Sequence, residues 1–336
     1  MKPLRNLSIA LSVVISACAF GQHYHIVDQI KVGGDGGWDY LNVDAQHRHL
    51  FISRGTHVQV MNADNYKIVG DIPNTSGVHG IAISDDLGRG FTSDGRDNTV
   101  TAFDLETFKA LGTAPVGAGP DAICYDPSSK RVFTFNGQAG TSTAVDGATL
   151  QVAGTIQLDG RPEFCAADGK GHVYVNIEDK GEIQEIDSNT LKVTRTFNLA
   201  PAEEPAGLAV DPRHGYLFST CHNQQMAVVD LKSGQVVARP AIGKGTDAAW
   251  FDAKYNDAFS SNGEGSLTVI HESKDGEFEI ADTVKTMPSA RTLAIDSKSH
   301  KIFLAIAQFE PAPAGQTEGR RRKVVPGSFA ILVLAP

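Results

Sequence analysis

Residues 205–245 decide the fold and read PAGLAVDPRHGYLFSTCHNQQMAVVDLKSGQVVARPAIGKG. A short apolar run ends at an Asp-Pro turn formed by Asp211 and Pro212, and three further β-rich runs follow, separated by a polar turn and a Ser-Gly turn. Apolar runs of only four to six residues between turn signals leave no room for a helix. The stretch therefore predicts a four-stranded antiparallel sheet.

The same pattern recurs along the whole chain, and the residue that closes the first strand of each repeat serves as its anchor. Successive anchors are 40 to 44 residues apart: Asp44, Ser84, Asp126, Asp168, Asp211, Asp252 and Asp296. A period near 40 residues with four strands per repeat is typical of a β-propeller. Seven anchors predict an all-β, seven-bladed propeller.

The two ends of the repeat array complement each other. HIVDQIKV at 25–32 resembles the fourth strand of the later repeats, yet no strand precedes it. The last repeat has only three predicted strands, at 292–296, 301–307 and 328–334. We expect the N-terminal strand to complete the last blade, which would remove two exposed sheet edges. The propeller is expected to span 22–336, with a loop insertion at 308–327.

Charge and targeting signals restrict the partners and the location. A net charge of −9 and a pI near 5.6 argue against nucleic acid or an anionic membrane surface as partner. Residues 1–21 resemble a signal peptide, because Lys2 and Arg5 precede an apolar run too short to span a membrane. We expect a periplasmic or secreted protein with no transmembrane segment. The alternative is an outer-membrane lipoprotein anchored at Cys18, which ends the lipobox-like run ISAC.

Two cysteines lie on the first strands of adjacent predicted blades. Cys124 and Cys165 are two and three residues before their anchors, so we expect their side chains to face opposite ways. Small buried thiols and no structural disulfide are predicted, also for Cys221.

The familiar catalytic motifs are missing: the sequence has no G-x-S-x-G, H-E-x-x-H, P-loop or C-x-x-C. The repeat instead predicts a ring of side chains. Residues five places before each anchor should surround one mouth of the central channel, and they are Asp39, His79, Asp121, Glu163, Ala206, Asp247 and Arg291. The loops between second and third strands open on the same face and add Arg54, Asp94, Asn136, Glu178, His222 and Asn262. Trp38 and the basic run Arg320–Lys323 of the insertion are also expected there, with the insertion folding over the mouth as a lid.

Three functions are compatible with this acidic ring. The leading hypothesis is a binding protein for a small polar or cationic molecule or a protein partner, contacted by Trp38, Asp39, His79, Asp121, Glu163, Asp247, Arg291, His222, Asn136 and Asn262. The second is a metal-assisted hydrolase of a lactone or similar ester, with His79 as general base and Arg291 stabilising the oxyanion. A divalent metal ion would then be the cofactor, held by Asp39, Asp121, Glu163 and Asp247. The third is a structural role in the cell envelope. A polar channel mouth without any ligand is the alternative to all three.

Several segments resemble the YVTN-type β-propeller repeat family. RVFTFN at 131–136 and DAFSSN at 257–262 are similar to its strand–turn–strand core, and QVAGTIQLDGRP at 151–162 is similar to its outer strand. The resemblance covers 23–336 and implies a seven-bladed propeller of the lactonase-like superfamily. Because that superfamily includes binding proteins, surface-layer proteins, lactonase relatives and heme-carrying domains, it implies a function only by analogy.

Overall fold

The computed structural model describes residues 22–34, 37–274, 276–310 and 323–336. The predicted signal peptide lies outside these residues, and so do Arg320–Arg322, on which the lid prediction depends. The described chain is built of strands, apart from one turn of 3-10 helix at Glu178–Lys180. Nothing in this described part forms a helix long and apolar enough to cross a membrane.

The strands follow the predicted repeats, which we call units 1 to 7. The first described strand is β1 (His25–Lys31). Units 1 and 2 contain β2 (Leu41–Asp44), β3 (His49–Ser53), β4 (Gly55–Asn62), β5 (Ile68–Ser84), β6 (Arg89–Asp94), β7 (Thr99–Asp104) and β8 (Ala110–Pro115). Units 3 and 4 contain β9 (Pro120–Asp126), β10 (Arg131–Asn136), β11 (Thr141–Asp146), β12 (Val152–Gln157), β13 (Pro162–Ala167), β14 (His172–Ile177), β15 (Glu182–Asp187) and β16 (Lys192–Asn198). Units 5 and 6 contain β17 (Pro205–Asp211), β18 (Tyr216–Cys221), β19 (Gln225–Asp230), β20 (Gln235–Ala238), β21 (Thr246–Asp252), β22 (Asp257–Asn262), β23 (Ser266–Glu272) and β24 (Phe278–Lys285). Unit 7 contains β25 (Leu293–Ile295), β26 (Ile302–Ile306) and β27 (Ala330–Ala335).

These strands form six antiparallel sheets, five of four strands and one of seven. The larger sheet arises because β5 runs without a break from unit 1 into unit 2. Its first part pairs with β4, as in Val58↔Ile72, and its second part pairs with β6, as in Ser84↔Arg89. The seven-stranded sheet thus consists of two four-stranded units that share one strand. The prediction of an all-β chain of four-stranded antiparallel units is confirmed.

The N-terminal strand completes the last sheet. β1 pairs with β27 from His25↔Ala335 to Lys31↔Ala330, and the order of this sheet is β1-β27-β26-β25. The backbone amides of Val32 and Gly33 continue the contact by donating to the carbonyl of Phe329. The prediction that the two chain ends share one sheet is confirmed.

The packing between units depends on one repeated position. The third residue of each predicted second strand is a ring that is at most 2% exposed, and these rings are Phe51, Phe91, Phe133, Tyr174, Phe218, Phe259 and Phe303. Phe51 of unit 1, for example, meets Phe103 of unit 2 with ring centroids 5.3 Å apart. Large side chains at this position fill the space where neighbouring units diverge. These aromatic residues are therefore core residues.

The first strands of the units pack side by side around a central cavity of about 370 Å³. Strands β2, β5, β9, β13, β17 and β21 line it, with Tyr40, Phe164 and Trp250 as its largest side chains. Strand β25 contacts both β21 and β2. The equivalent strand ends of successive units are thereby brought to the same face of the molecule.

The cysteine prediction is wrong in one respect. Cys124 and Cys165 are both free thiols, but both line the central cavity, and Cys124 lies close enough to add to the effect of burial in raising the pKa of Cys165. Because β9 and β13 are packed side by side, the two thiols can meet although they occupy different positions relative to their anchors. Opposite directions within single strands therefore did not separate the two thiols.

Candidate functional site: the acidic mouth

Six of the seven predicted ring positions carry polar side chains at one end of the first strands. We call this set the mouth: Asp39, His79, Asp121, Glu163, Asp247 and Arg291. Each lies near the start of a first strand or just before it, and each is intermediate in exposure. The seventh position, Ala206, contributes its backbone, because its carbonyl accepts a hydrogen bond from Asn176. The predicted ring is therefore a set of half-buried charges.

Charged contacts link the mouth residues across unit boundaries. The Nδ1 atom of His79 lies 2.6 Å from Oδ2 of Asp39 and 3.6 Å from Oδ1 of Asp121. Arg291 reaches Oδ1 of Asp39 at 3.4 Å and also pairs with Asp247. One guanidinium and one imidazole thus serve three carboxylates that come from different units.

Glu163 is the carboxyl group of the mouth whose charge is least compensated by nearby positive side chains. Burial and the nearby carboxylates of Asp121 and Asp247 raise its pKa from 4.5 to about 8. The cationic side chain that opposes this shift, Arg161, is itself paired with Glu178. At neutral pH the Glu163 side chain therefore holds a proton that a nearby positive charge would displace.

The other carboxyl groups respond to burial in the same direction. Burial raises the pKa of Asp247 to about 6, although Arg291 opposes the shift. Burial and the charge of Asp39 also raise the pKa of Asp121. The mouth thus holds several carboxyl groups close together and partly out of water, which is typical of functional sites.

The sequence analysis missed Tyr40. Burial, followed by the charges of Asp121, Glu163 and the other mouth carboxylates, raises its pKa well above the ordinary value. Its ring lies 5.0 Å from that of Phe164, and both side chains line the central cavity. Tyr40 therefore offers a neutral hydroxyl between the mouth and the cavity. Only its position beside Asp39 could have signalled this role.

The structure does not bring Asn136 and Asn262 into the mouth. Both are fully buried at the ends of second strands. Asn136 donates to the hydroxyls of Thr141 and Thr143, and Asn262 donates to those of Ser266 and Thr268. Asp94 has the same environment, because it accepts from the hydroxyls of Thr92, Thr99 and Thr101. These side chains connect strands within a unit instead of facing a ligand.

The remaining predicted ligand residues lie at the edge of the mouth. His222 is partly exposed, with Nδ1 3.3 Å from Oε2 of Glu204. It acts against burial, which raises the pKa of Asp247, by favouring the charged form of that carboxyl group. Trp38 packs against Phe329, with ring centroids 5.4 Å apart, and against Phe309 of the insertion at 6.0 Å. The described base of the insertion continues as a β-bridge between Phe309 and Val324. Trp38 therefore supports the base of the insertion.

One part of the mouth has metal-ligand spacing. Single donor atoms of Asp39, His79 and Asp121 all lie within 4.8 Å of one another. Glu163 and Asp247, which were also predicted as metal ligands, are not in this group. Oxygen and imidazole donors at this spacing could hold a divalent ion if the Asp39–His79 contact opened.

Comparison with known proteins places the chain in a family. The family model for the Cytochrome D1 heme domain, an eight-bladed β-propeller, matches residues 45–251. The chain belongs to the Cytochrome D1 heme domain family. The likeness to the YVTN-type repeat family that the sequence suggested is not shown. A comparison with curated proteins finds no match.

Solved structures agree with this fold. Hydrazine synthase of Kuenenia stuttgartiensis is similar with a TM-score of 0.72 and 12% identity over 80% of this chain and 92% of the other. A structure titled U3-55K is similar with a TM-score of 0.76 and 9% identity over 90% of this chain and 97% of the other. At these identities the likeness shows the β-propeller fold and no more.

The mouth does not fit the heme that gives the Cytochrome D1 heme domain family its description. Heme carries carboxylate side groups, whereas the mouth presents four carboxyl groups against one guanidinium and one imidazole. The His79 ring is also engaged by the mouth itself, because its Nδ1 atom lies 2.6 Å from Oδ2 of Asp39. The residues of the mouth are therefore a poor match for heme.

Proposed function

We propose that this protein is an exported binding protein that takes a small cationic ligand at the acidic mouth. The observation that carries the proposal is the convergence of four half-buried carboxyl groups at one end of the first strands, where burial and two neighbouring carboxylates raise the pKa of Glu163 to about 8. A positive charge placed beside it would relieve this repulsion and displace its proton. Carboxylate oxygens with a tyrosine hydroxyl suit either a hard divalent ion or an ammonium group.

The contacts between the first strands support a closed ring of units with a single mouth. The first strands contact one another in the order β2, β5, β9, β13, β17, β21 and β25, and β25 contacts β2 again. We interpret this succession as a seven-bladed ring closed by β1, one blade fewer than the eight of the family. In such a ring the mouth residues surround a single channel opening. The resemblance of residues 1–21 to a signal peptide supports a periplasmic or secreted location, and a lipid anchor at Cys18 is the alternative.

One observation favours the hydrolase as the second candidate. The donor atoms of Asp39, His79 and Asp121 lie within 4.8 Å of one another, as a bound divalent ion would require. If the carboxylates of Asp39 and Asp121 held the ion, His79 beside them would be the general base instead of a ligand, and Arg291 would stabilise the oxyanion. Lactone hydrolysis that depends on added Ca²⁺ and is lost in His79→Gln would favour this function over simple binding. The structural role in the cell envelope stays a prediction.

The test of binding is a calorimetric titration of the full chain with Ca²⁺ and with 1,4-diaminobutane, using acetate as the anionic probe. We expect at least one cation to bind and acetate not to bind. Asp121→Asn should weaken the binding about tenfold or more, as expected for a lost contact to a charged group of about 1.5–3 kcal/mol. The control is Asp28→Asn, because Asp28 is an exposed carboxylate on the outermost strand β1. Equal affinity in Asp121→Asn and Asp28→Asn would contradict a site at the mouth.

A further inference from the structure

The anchor aspartates lie at the opposite end of the first strands from the mouth, and most of them have a clear compensating group. Asp296 accepts from Nη1 and Nη2 of Arg48 at 2.8 and 2.6 Å. Asp252 lies 2.6 Å from Nδ1 of His300. Asp126 accepts hydroxyl hydrogen bonds from residues 129 and 188. A buried carboxylate is tolerated in these units because each has its own cation or hydroxyl donors.

Asp211 of unit 5 is different because it faces a second buried carboxyl group. Glu272, the last residue of β23 in unit 6, lies beside it, and the two side chains are 0% and 4% exposed. His214, in the turn after β17, points Nδ1 at both, 2.7 Å from Oδ2 of Asp211 and 2.8 Å from Oε1 of Glu272. We call these three residues the Asp211 cluster.

The protein groups around this cluster do not satisfy it. A single Nδ1 atom carries at most one proton, so it can serve only one of the two oxygens at a time. Arg213 reaches the other oxygen of Asp211, Oδ1, through Nε at 3.3 Å. Oε2 of Glu272 is buried and has no hydrogen-bond partner among the described residues, and the buried Oδ2 of Asp211 depends on the same Nδ1 atom that lies near Oε1 of Glu272. A buried acceptor without a donor, beside a second buried carboxylate that must share its donor, is costly, and native proteins rarely leave such groups uncompensated.

We propose that Asp211, His214 and Glu272 bind a divalent transition-metal ion, for which Zn²⁺ is the best match. One donor atom from each residue lies within 4.8 Å of the others. One imidazole nitrogen and two carboxylate oxygens are a ligand set that Zn²⁺ accepts, at about 2.0–2.2 Å from each. The ligand atoms must separate slightly to admit the ion, and the partly exposed His214 ring in its turn can move to allow this. Because His214 is 46% exposed, water can fill the fourth position.

The proposed ion would join two units and is separate from the mouth. Its ligands come from β17, from the turn after it and from β23, so it links unit 5 to unit 6. Asp211 is five residues along β17 from Ala206, about 16 Å for an extended strand. The alternative for the same geometry is a proton shared between the two carboxyl groups, with no metal. The similar group of Asp44, His47 and Asp85 is less suitable, because Asp85 is exposed.

The test uses the full chain after chelator treatment, titrated with Zn²⁺ and followed by calorimetry and thermal melts at pH 7.5. We expect the wild type to bind Zn²⁺ and to melt at a higher temperature with it. Glu272→Gln should weaken binding about 100-fold and remove the rise in melting temperature. Without metal, Glu272→Gln should melt no lower than the wild type, because it loses one of two mutually repelling buried charges.

Two control variants and a second ligand variant complete the experiment. Asp85→Asn, in the similar but exposed group, and Asp28→Asn, on the exposed strand β1, should both keep the Zn²⁺-dependent rise in melting temperature. His214→Gln changes a partly exposed turn residue and should lose Zn²⁺ binding even if Glu272→Gln fails to fold. The proposal is overturned if the wild type shows no Zn²⁺-dependent stabilisation, which would leave the shared proton. It is also overturned if His214→Gln binds Zn²⁺ as tightly as the wild type.

Discussion

Burial determines the charge state of Glu163, because the water that would stabilise its carboxylate is replaced by protein and by the charges of Asp121 and Asp247. Arg291 cannot compensate, since it is already engaged by Asp39 and Asp247. The carboxyl groups of the mouth therefore repel one another, and a cationic ligand would relieve this repulsion. Carboxyl groups with pKa values raised in this way are common at functional sites.

We expect Glu163→Gln to weaken the dependence of stability on pH. The folded-state pKa of Glu163, about 8, lies above its ordinary value of 4.5, so the folded state binds more protons between these values. The contribution of Glu163 to the free energy of unfolding is then fully present below pH 4.5 and is lost as pH rises toward 8. Denaturant unfolding at pH 5, 6, 7 and 8 measures this slope. An unchanged slope in Glu163→Gln would show that Glu163 ionises normally in the folded protein.

At the scale of the element, the first strands approach one another so closely that some positions have no room for a side chain. Gly207 on β17 is such a position. A Cβ added there would lie 2.4 Å from the backbone carbon of Ala248 on β21. Gly137 lies in the turn after β10, and a Cβ added there would lie 3.8 Å from the nearest atom, an ordinary contact.

Gly207→Ala should therefore destabilise the protein by about 1–3 kcal/mol, the usual cost of overpacking. Gly137→Ala is the matched control and should change the free energy of unfolding by less than about 0.5 kcal/mol. Equilibrium denaturant unfolding of both variants makes the comparison. Similar stability of the two variants would mean that β17 and β21 are not in close contact.

The outermost strand of unit 7 gives the second prediction at this scale. Deleting residues 23–32 removes β1, exposes the edge of β27 and takes away the contact between the chain ends. We expect loss of the whole fold, because β27 is buried along its length and would meet water. Circular dichroism and thermal melting follow the outcome. A deletion variant with native β signal and a cooperative melt would show that the other units are stable without it.

At the scale of the whole molecule, the sequence predicts the features that follow from the repeat. Equivalent positions in each unit reach the same face, so Asp39 and Asp247 could be placed together although 208 residues separate them. Contacts that cross between units in different registers could not be predicted. The meeting of Cys124 with Cys165, and of Asp211 with Glu272, depends on how neighbouring units are packed. Asn136 was misplaced because a polar residue at a strand end can bond inside its own unit.

The central claim is that the mouth takes up a cation and gives up a proton from Glu163. The most direct measurement is calorimetric titration with Ca²⁺ and with 1,4-diaminobutane at pH 7, repeated in two buffers of different ionisation enthalpy. The account predicts that the binding cation releases protons into the buffer, that its affinity rises as pH approaches 8, and that Glu163→Gln removes the proton release. Binding with equal heats in both buffers, or no binding of either cation, would contradict it.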